Sequence, residues 1–304
     1  MGRTLMILLV GFAISFGLLA SSKSRRFLDS VDRAVEQFTD YSATNAANSG
    51  VYMALNRLYQ SNTWRTGYSN LVIAGDTVSV VVDDQTTDST LAERRIRVRA
   101  TGHNKDITNV TQALLFDGSF GEFAVWAKDT TAGVTTKTSL GVPDTSLLMK
   151  KAPFMPKIDY SDLVSAASAQ GHSYVSADWQ PADGYPNGSF YNLLTTPNVT
   201  HVDGNMKVKD NRTVYGIFIV EGWVQIEGGG EVRGILYLPN AGSYVRGKGG
   251  DAAETANVKG GVLVWGRVNG LERPVSVQYN STYMNIFENT YGENNPPLRV
   301  LTWQ

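Results

Sequence analysis

From Leu5 to Ala20 the chain carries no charge, and Lys23, Arg25 and Arg26 close that apolar run. A bilayer core takes about 20 apolar residues of helix at ~1.5 Å each, so the run is marginal as a permanent span. Apolar positions then return at steps of three and four. Phe27, Val31, Ala34, Phe38 and Tyr41 form one row, and Leu28, Val35, Ala46, Val51, Leu55 and Leu58 form the next. Asp29, Asp32, Arg33 and Glu36 take the other face. This period predicts that the apolar helix continues as an amphipathic one to about Gln60. Asn45-Ala46-Ala47-Asn48-Ser49-Gly50 disfavours a helix interior and predicts a kink or local unwinding there.

After Gln60 the period changes to two. Leu71–Ala74 and Val78–Val82 read as strands joined by Gly75-Asp76-Thr77, a hairpin signal. Asp83–Ala92 is polar and reads as a loop. In Arg94–Ala100 the alternation predicts Ile96, Val98 and Ala100 inward, with Arg95, Arg97 and Arg99 outward. Ile107–Phe116 is a fourth strand. A helix and a sheet that each have one apolar face bury them against one another, so residues 61–117 predict an antiparallel sheet on the second half of the helix. Residues 118–197 read as a linker region with one short helix over 162–170, N-capped by Ser161 or Asp162 and C-capped by Gly171.

The stretch 198–304 reads as a β-solenoid. Val214–Val220, Val232–Leu238 and Val258–Val264 repeat one pattern, and Arg246–Asn257 stands as a polar, glycine-rich insertion loop between the last two. Stacking the repeats aligns Val214 with Val232 and Val258, and Gly216 with Gly234 and Gly260. It also aligns Phe218 with Leu236 and Val262, and Val220 with Leu238 and Val264; these rows point inward. The opposite face carries Ile217, Ile219, Ile235, Tyr237 and Leu263. A sheet apolar on both faces is covered on both, so these five predict burial by the 162–170 helix, the C-terminal segment or a neighbouring subunit. If open, they are the interface candidates.

Composition narrows the function classes. The chain has 304 residues, 42% of them hydrophobic, enough for a large core; its net charge is −1 and it has no cysteine. The balance gives no bulk basic field for nucleic acid, and the absent thiols exclude disulfides, thiolate zinc sites and cysteine nucleophiles. The arginine run Arg94–Arg99 reads as a solvated strand face paired with Asp83, Asp84 and Glu93; the alternative is a polyanion or lipid-headgroup contact, since no aromatics interleave for nucleic-acid stacking. All ten prolines fall at Pro143 or later, which separates a helix-led first half from a turn-rich second.

Catalytic constellations are missing. His201 and Asp203 share a strand face but have no third ligand at metal spacing. Gly247–Gly250 lacks the spacing of a phosphate loop. Asp203, Asp210, Glu221, Glu227 and Glu231 lie near coil edges, yet stacking sets Glu221 beside Pro239 and Trp265, so no carboxylate pair forms. Trp223, Tyr244 and Trp265 remain as a candidate ligand surface, with surface glycan as the ligand. The chain therefore reads as a non-enzyme without metal or other cofactor.

Two stretches carry a family resemblance. Gly2-Arg3-Thr4-Leu5 resembles the prepilin cleavage context of type IV pilin-like proteins, with the scissile bond between Gly2 and Arg3, and Ala46–Leu58 is similar to the end of the N-terminal helix in PilX-type minor pilins. Residues 118–304 resemble the β-helical C-terminal domain of large PilX-like bacterial proteins. The phrases that match are Asp159-Tyr160, Asn187–Tyr191, Asn198–Gly204, Val214–Phe218 and Trp303. The family's glutamate at the fifth mature position is absent and Ile7 stands there, as in tip-type minor pseudopilins. The resemblance implies a structural subunit of a type IV pilus-like or pseudopilus assembly. Its head would lie outside the cytoplasm, at the inner membrane and later in a surface filament. The assembly helix would meet other pilin-like subunits through Leu5, Ile7, Phe12, Phe16, Phe27, Val31 and Phe38. The apolar run alone leaves two other readings open: a secretory signal cleaved near Ser21 or Ser22, and a simple signal anchor. The amphipathic continuation favours the assembly helix, because a signal peptide has no need of one. An exported, glycan-binding solenoid is the alternative function.

Overall fold

The computed structural model describes residues 2–249, 256–293, 296 and 298–304. The chain folds as two compact units, Met1–Asp117 with Leu298–Gln304, and Gly118–Pro297.

In the first unit α1 runs unbroken from Gly2 to Gln60. The interruption expected at 45–50 does not occur. Its small residues serve a different purpose: Ala43, Ala46, Ala47, Gly50, Val51 and Ala54 lie buried against the sheet. A Cβ on Gly102 of the sheet would stand 2.2 Å from the Ala43 carbonyl oxygen, so glycine there lets the two backbones approach. β1 (Tyr68–Ile73), β2 (Asp76–Asp84), β3 (Arg95–Asn104) and β4 (Ile107–Asp117) form an antiparallel sheet in that order. Val78, Val80, Val82, Ile96, Val98 and Ala100 are buried beneath α1, as the alternation requires. The arginines point away, and Arg97 forms ion pairs with Asp83 at 3.0 Å and with Asp88. The chain's last strand, Leu298–Trp303, pairs antiparallel with β4. The repeat pattern grouped it with the second half; instead it completes the first sheet, with Tyr59 donating a hydrogen bond to the Leu298 carbonyl at 3.0 Å.

The second unit is mostly parallel sheet. Its strands are β5 (Val125–Ala127), β6 (Thr131–Ala132), β7 (Val134–Lys137), β8 (Leu148–Met149), β9 (Ser173–Trp179), β10 (Tyr191–Leu193), β11 (Thr196–Pro197) and β12 (Val199–Val208). β13 (Thr213–Val220), β14 (Val224–Glu227), β15 (Glu231–Leu238), β16 (Tyr244–Lys248), β17 (Ala256–Val264), β18 (Arg267–Asn269) and β19 (Val275–Tyr279) follow. Apart from the β10–β11 hairpin they belong to one sheet, whose main path is β6-β18-β16-β14-β12-β13-β15-β17-β19-β7. The two ends of that path, β6 and β7, are separated in the chain by Gly133 alone, so the sheet curls until its ends meet. β12 passes from one limb to the other: 199–202 pair with β13 and 206–208 pair with β14. At the bend Gly204 has φ +138°, and a Cβ there would lie 1.9 Å from the Ser176 carbonyl oxygen.

The stacking read from the sequence is the observed register. Val214 faces Val232, which faces Val258, and Gly216, Gly234 and Gly260 form a column. A Cβ on Gly234 would stand 1.8 Å from the Gly216 carbonyl oxygen. The interior is filled by Val214, Phe218, Leu236, Val262 and their neighbours from both limbs. Two expectations need correction. Residues 118–197 are not a linker, since β5, β6, β7 and β9 all hydrogen-bond into the curled sheet. The insertion is not a loop from Arg246 onward either, because 246–248 belong to β16; residues 250–255 of it lie outside the described residues. The short helix is α2 (Tyr160–Ala169), N-capped by Asp159 rather than Ser161 or Asp162; Gln170 is its C-cap, and Gly171 follows at φ +73°. A helix that the sequence pattern did not predict, α3 (Ser281–Tyr291), follows β19.

Candidate functional site

Three surfaces bear on function, and the first is α1 itself. From Met6 to Phe38 its apolar side chains stand in the open: Ile7 is 73% exposed, Phe16 70% and Phe38 69%. Phe12 and Phe27 are exposed alike and Val31 somewhat less; Gly2, Arg3 and Leu5 lie within α1, with side chains outside the described set. This helix is long and apolar enough to cross a membrane. From Ala43 onward the same helix is docked. Polar bonds mark the transition. Ser42 donates to Asp76 at 2.6 Å, and the Asn109 amide donates to Asp40 at 2.9 Å. Just before it, Val35, Glu36, Thr39 and Asp40 line a groove of about 560 Å³ with Lys105 and Ile107.

The second surface is the row Ile217, Ile219, Ile235, Tyr237 and Leu263. It is buried within the chain. α2 packs on β12 through Leu163 and Ala167, and α3 packs on β15 and β17. Met284 of α3 sits on Gly261, while Phe287 meets Tyr237 with ring centroids 6.0 Å apart. Burial, with the nearby Glu221 charge adding to it, pushes the Tyr237 hydroxyl up to about 12. The interface assignment for these five is therefore withdrawn: two helices of the same unit already cover them.

The third surface is the outer face of β12, β14, β16 and β18. Parallel register sets Lys207, Gln225, Arg246 and Asn269 in one row across the four strands. The row beside it holds Tyr244 and Arg267, with Trp223 next to Tyr244. The Trp223 and Tyr244 rings stack with centroids 6.0 Å apart and planes 13° apart. Lys207 lies 5.4 Å from the Trp223 centroid and Arg246 5.0 Å; Arg267 lies 5.7 Å from that of Tyr244. Lys207 pairs with Asp178 at 2.7 Å, and that hydrogen bond chiefly holds the Asp178 carboxyl below its ordinary range. Trp265 makes no ring contact with this pair. It lines a separate cleft with Lys128, Asp129 and Ser243, and Arg267 borders both clefts.

One polar group was not foreseen. Tyr160 of α2 donates to Glu221, His201 Nε2 lies 3.2 Å from the same oxygen, and Asn240 donates to the other. Burial, and then the Glu221 hydrogen bond, raise the Tyr160 hydroxyl above the ordinary tyrosine range. Adjacent coils bring His201 and Glu221 together, but Tyr160 reaches them only through the seating of α2, which the repeat pattern offers as one of three covers for the second surface. Glu221 meets all three neighbours, so the cluster ties α2 to the sheet. His201 and Asp203 gain no metal partner, and among the described residues no cluster of His, Asp and Glu is arranged to hold a metal ion. No family model, curated protein or solved structure matches the chain.

Proposed function

We propose that the protein is a structural subunit of a type IV pilus-like or secretion pseudopilus assembly, a minor or tip pilin held in the bacterial inner membrane by α1. The single observation that carries this reading is the division of α1. Its first part leaves apolar side chains exposed from Met6 to Leu19 and, beyond the cationic stretch Lys23–Arg26, again along one row from Phe27 to Phe38, and its second part docks a small-residue face onto an antiparallel sheet. A helix that only anchored would need about 20 residues. The exposed apolar positions beyond Arg26, namely Phe27, Leu28, Val31, Val35 and Phe38, call for packing partners past the membrane, and helices of neighbouring pilin-like subunits supply such a surface.

We read the curled parallel sheet as a β-solenoid head. In-register coils, the glycine column and the valine-rich interior support this. With Ile7 where the family's glutamate would stand, the subunit fits a filament tip. The head then faces outward, at the cell surface.

Site-specific photocrosslinking tests the assembly role. A crosslinker at Phe27 or Phe38 should trap pilin-like subunits from the native envelope, whereas one at Val72, on the edge strand β1 of the first unit's sheet, should not. Crosslinks to lipid alone at both helix positions would count against assembly.

A further inference from the structure

We infer that the outer face of β12, β14, β16 and β18 is a binding strip for an acidic polysaccharide, read through Lys207, Arg246 and Arg267 with Trp223 and Tyr244 as spacers. This does not rest on the pilin reading; it concerns the head alone.

The argument begins with ring faces. Lys207 comes from the strand on one side of Trp223, and Tyr244 and Arg246 come from the strand on the other. Tyr244 in turn stands between Trp223 and Arg267. Both faces of each ring are thus taken. The aromatics therefore do not offer a flat platform to a sugar ring or a nucleobase. What they do is hold cations in line. Neighbouring strands lie about 4.8 Å apart, so charges from β12 to β18 span roughly 14 Å, a length suited to a chain bearing repeated anions.

Charge and hydrogen bonding narrow the ligand. Lys207 has Asp178 as counter-ion, but among the described residues neither Arg246 nor Arg267 is within ion-pair distance of a carboxylate. Between Lys207 and Arg246 lies Gln225, 3% exposed, whose amide donates to Glu227 while its Oε1 has no hydrogen-bond partner. Arg246 Nε is also buried without one. Those two atoms are enclosed; what a ligand meets is the guanidinium groups of Arg246 and Arg267, which take anionic oxygens, beside the polar row of Lys207 and Asn269, which suits a ligand that also brings hydroxyl groups. A polyuronate carries both on every residue. A phosphodiester backbone brings acceptors only. The adjoining cleft of about 100 Å³ between Tyr244, Arg246, Arg267 and Asn269 has Glu272 on its rim, which further disfavours densely charged nucleic acid.

The test uses the full chain in detergent micelles, titrated with polygalacturonate, a sulfated galactan, neutral dextran, poly-glutamate and oligo-thymidine. Polygalacturonate or the sulfated galactan should bind in a salt-sensitive manner, and dextran should not. Arg267→Glu, at an exposed position, should weaken binding at least tenfold with the melting temperature unchanged; Arg246→Ala should do the same. Trp223→Leu should also weaken it, by loosening the ladder. Val72→Glu, on the other unit, should change nothing. The inference is overturned if neither acidic polysaccharide binds, if poly-glutamate or oligo-thymidine binds as tightly as they do, or if Arg267→Glu binds like the unmodified protein.

Discussion

The two parts of α1 are one helix in two settings. Up to Phe38 it carries large side chains (Phe12, Phe16, Phe27, Phe38) that stand largely exposed; from Ala43 it carries Ala43, Ala46, Ala47, Gly50 and Ala54, pressed on β2, β3 and β4. Where the helix meets the sheet of its own unit, the small residues allow the close backbone approach seen at Gly102, and Val51, Leu55 and Leu58 fill the rest of the contact. Where it must meet something outside the unit, large residues remain and stay uncovered. Helix propensity alone would have broken the second part, at Asn48-Ser49-Gly50. Tertiary packing overrides it, aided by Thr111 donating to the Asn48 side chain at 3.0 Å.

The contrast can be broken most sharply in the membrane part. Leu9→Arg should cost about 3 kcal/mol of insertion, roughly a hundredfold in partition, with the head still folded. Carbonate extraction of membranes reads the first effect and near-UV circular dichroism the second. The docked part should respond the other way. Gly102→Ala forces a methyl group against the Ala43 and Ala47 backbone and should destabilise the first unit by about 1–3 kcal/mol, visible as a lower melting temperature with membrane partition unchanged. In the second unit Gly234→Ala should strain the glycine column by a comparable amount, and the two alanine variants should melt different transitions.

The smallest effect separates sheet from helix by pH. Hydrogen bonds from Thr86 chiefly hold the Asp84 carboxyl at about 2, and those from Thr90 chiefly do the same for Asp88. Both are depressed from 3.8, so the stability they contribute is full above about pH 4 and is lost as pH falls toward 2. Asp84 and Asp88 lie at the surface, partly exposed and screened by solvent, so the change is modest. Thermal melts across that window should show the first unit weakening, and Asp84→Asn with Asp88→Asn should flatten the slope.

Much of the fold was legible in the sequence because it follows from periodicity. The alternation in Arg95–Ala100 placed the arginines outside, and the repeats placed Gly216, Gly234 and Gly260 in a column. What escaped depends on packing between distant segments. Leu298–Trp303 is a short run that could join any open edge, and its choice of β4 is a tertiary matter. Ser281–Tyr291 has an Asn280 N-cap but mixed polarity, and it acquires its apolar side only against β15 and β17. The row of rings and cations was half legible: Trp223 and Tyr244 stood out as members of a candidate ligand surface. Lys207, Gln225 and Arg246 belong to it only once the strands are in register across both limbs of the curl.

The central claim is that the apolar part of α1 stays in the working protein as an assembly element. Intact mass and N-terminal sequencing of the protein taken from its native envelope test this most directly. The expected result is a chain that retains Leu5–Ala20 and begins at Arg3. A chain beginning near Ser21 or Ser22 would contradict it, leaving an exported head whose function would rest on the cationic strip alone.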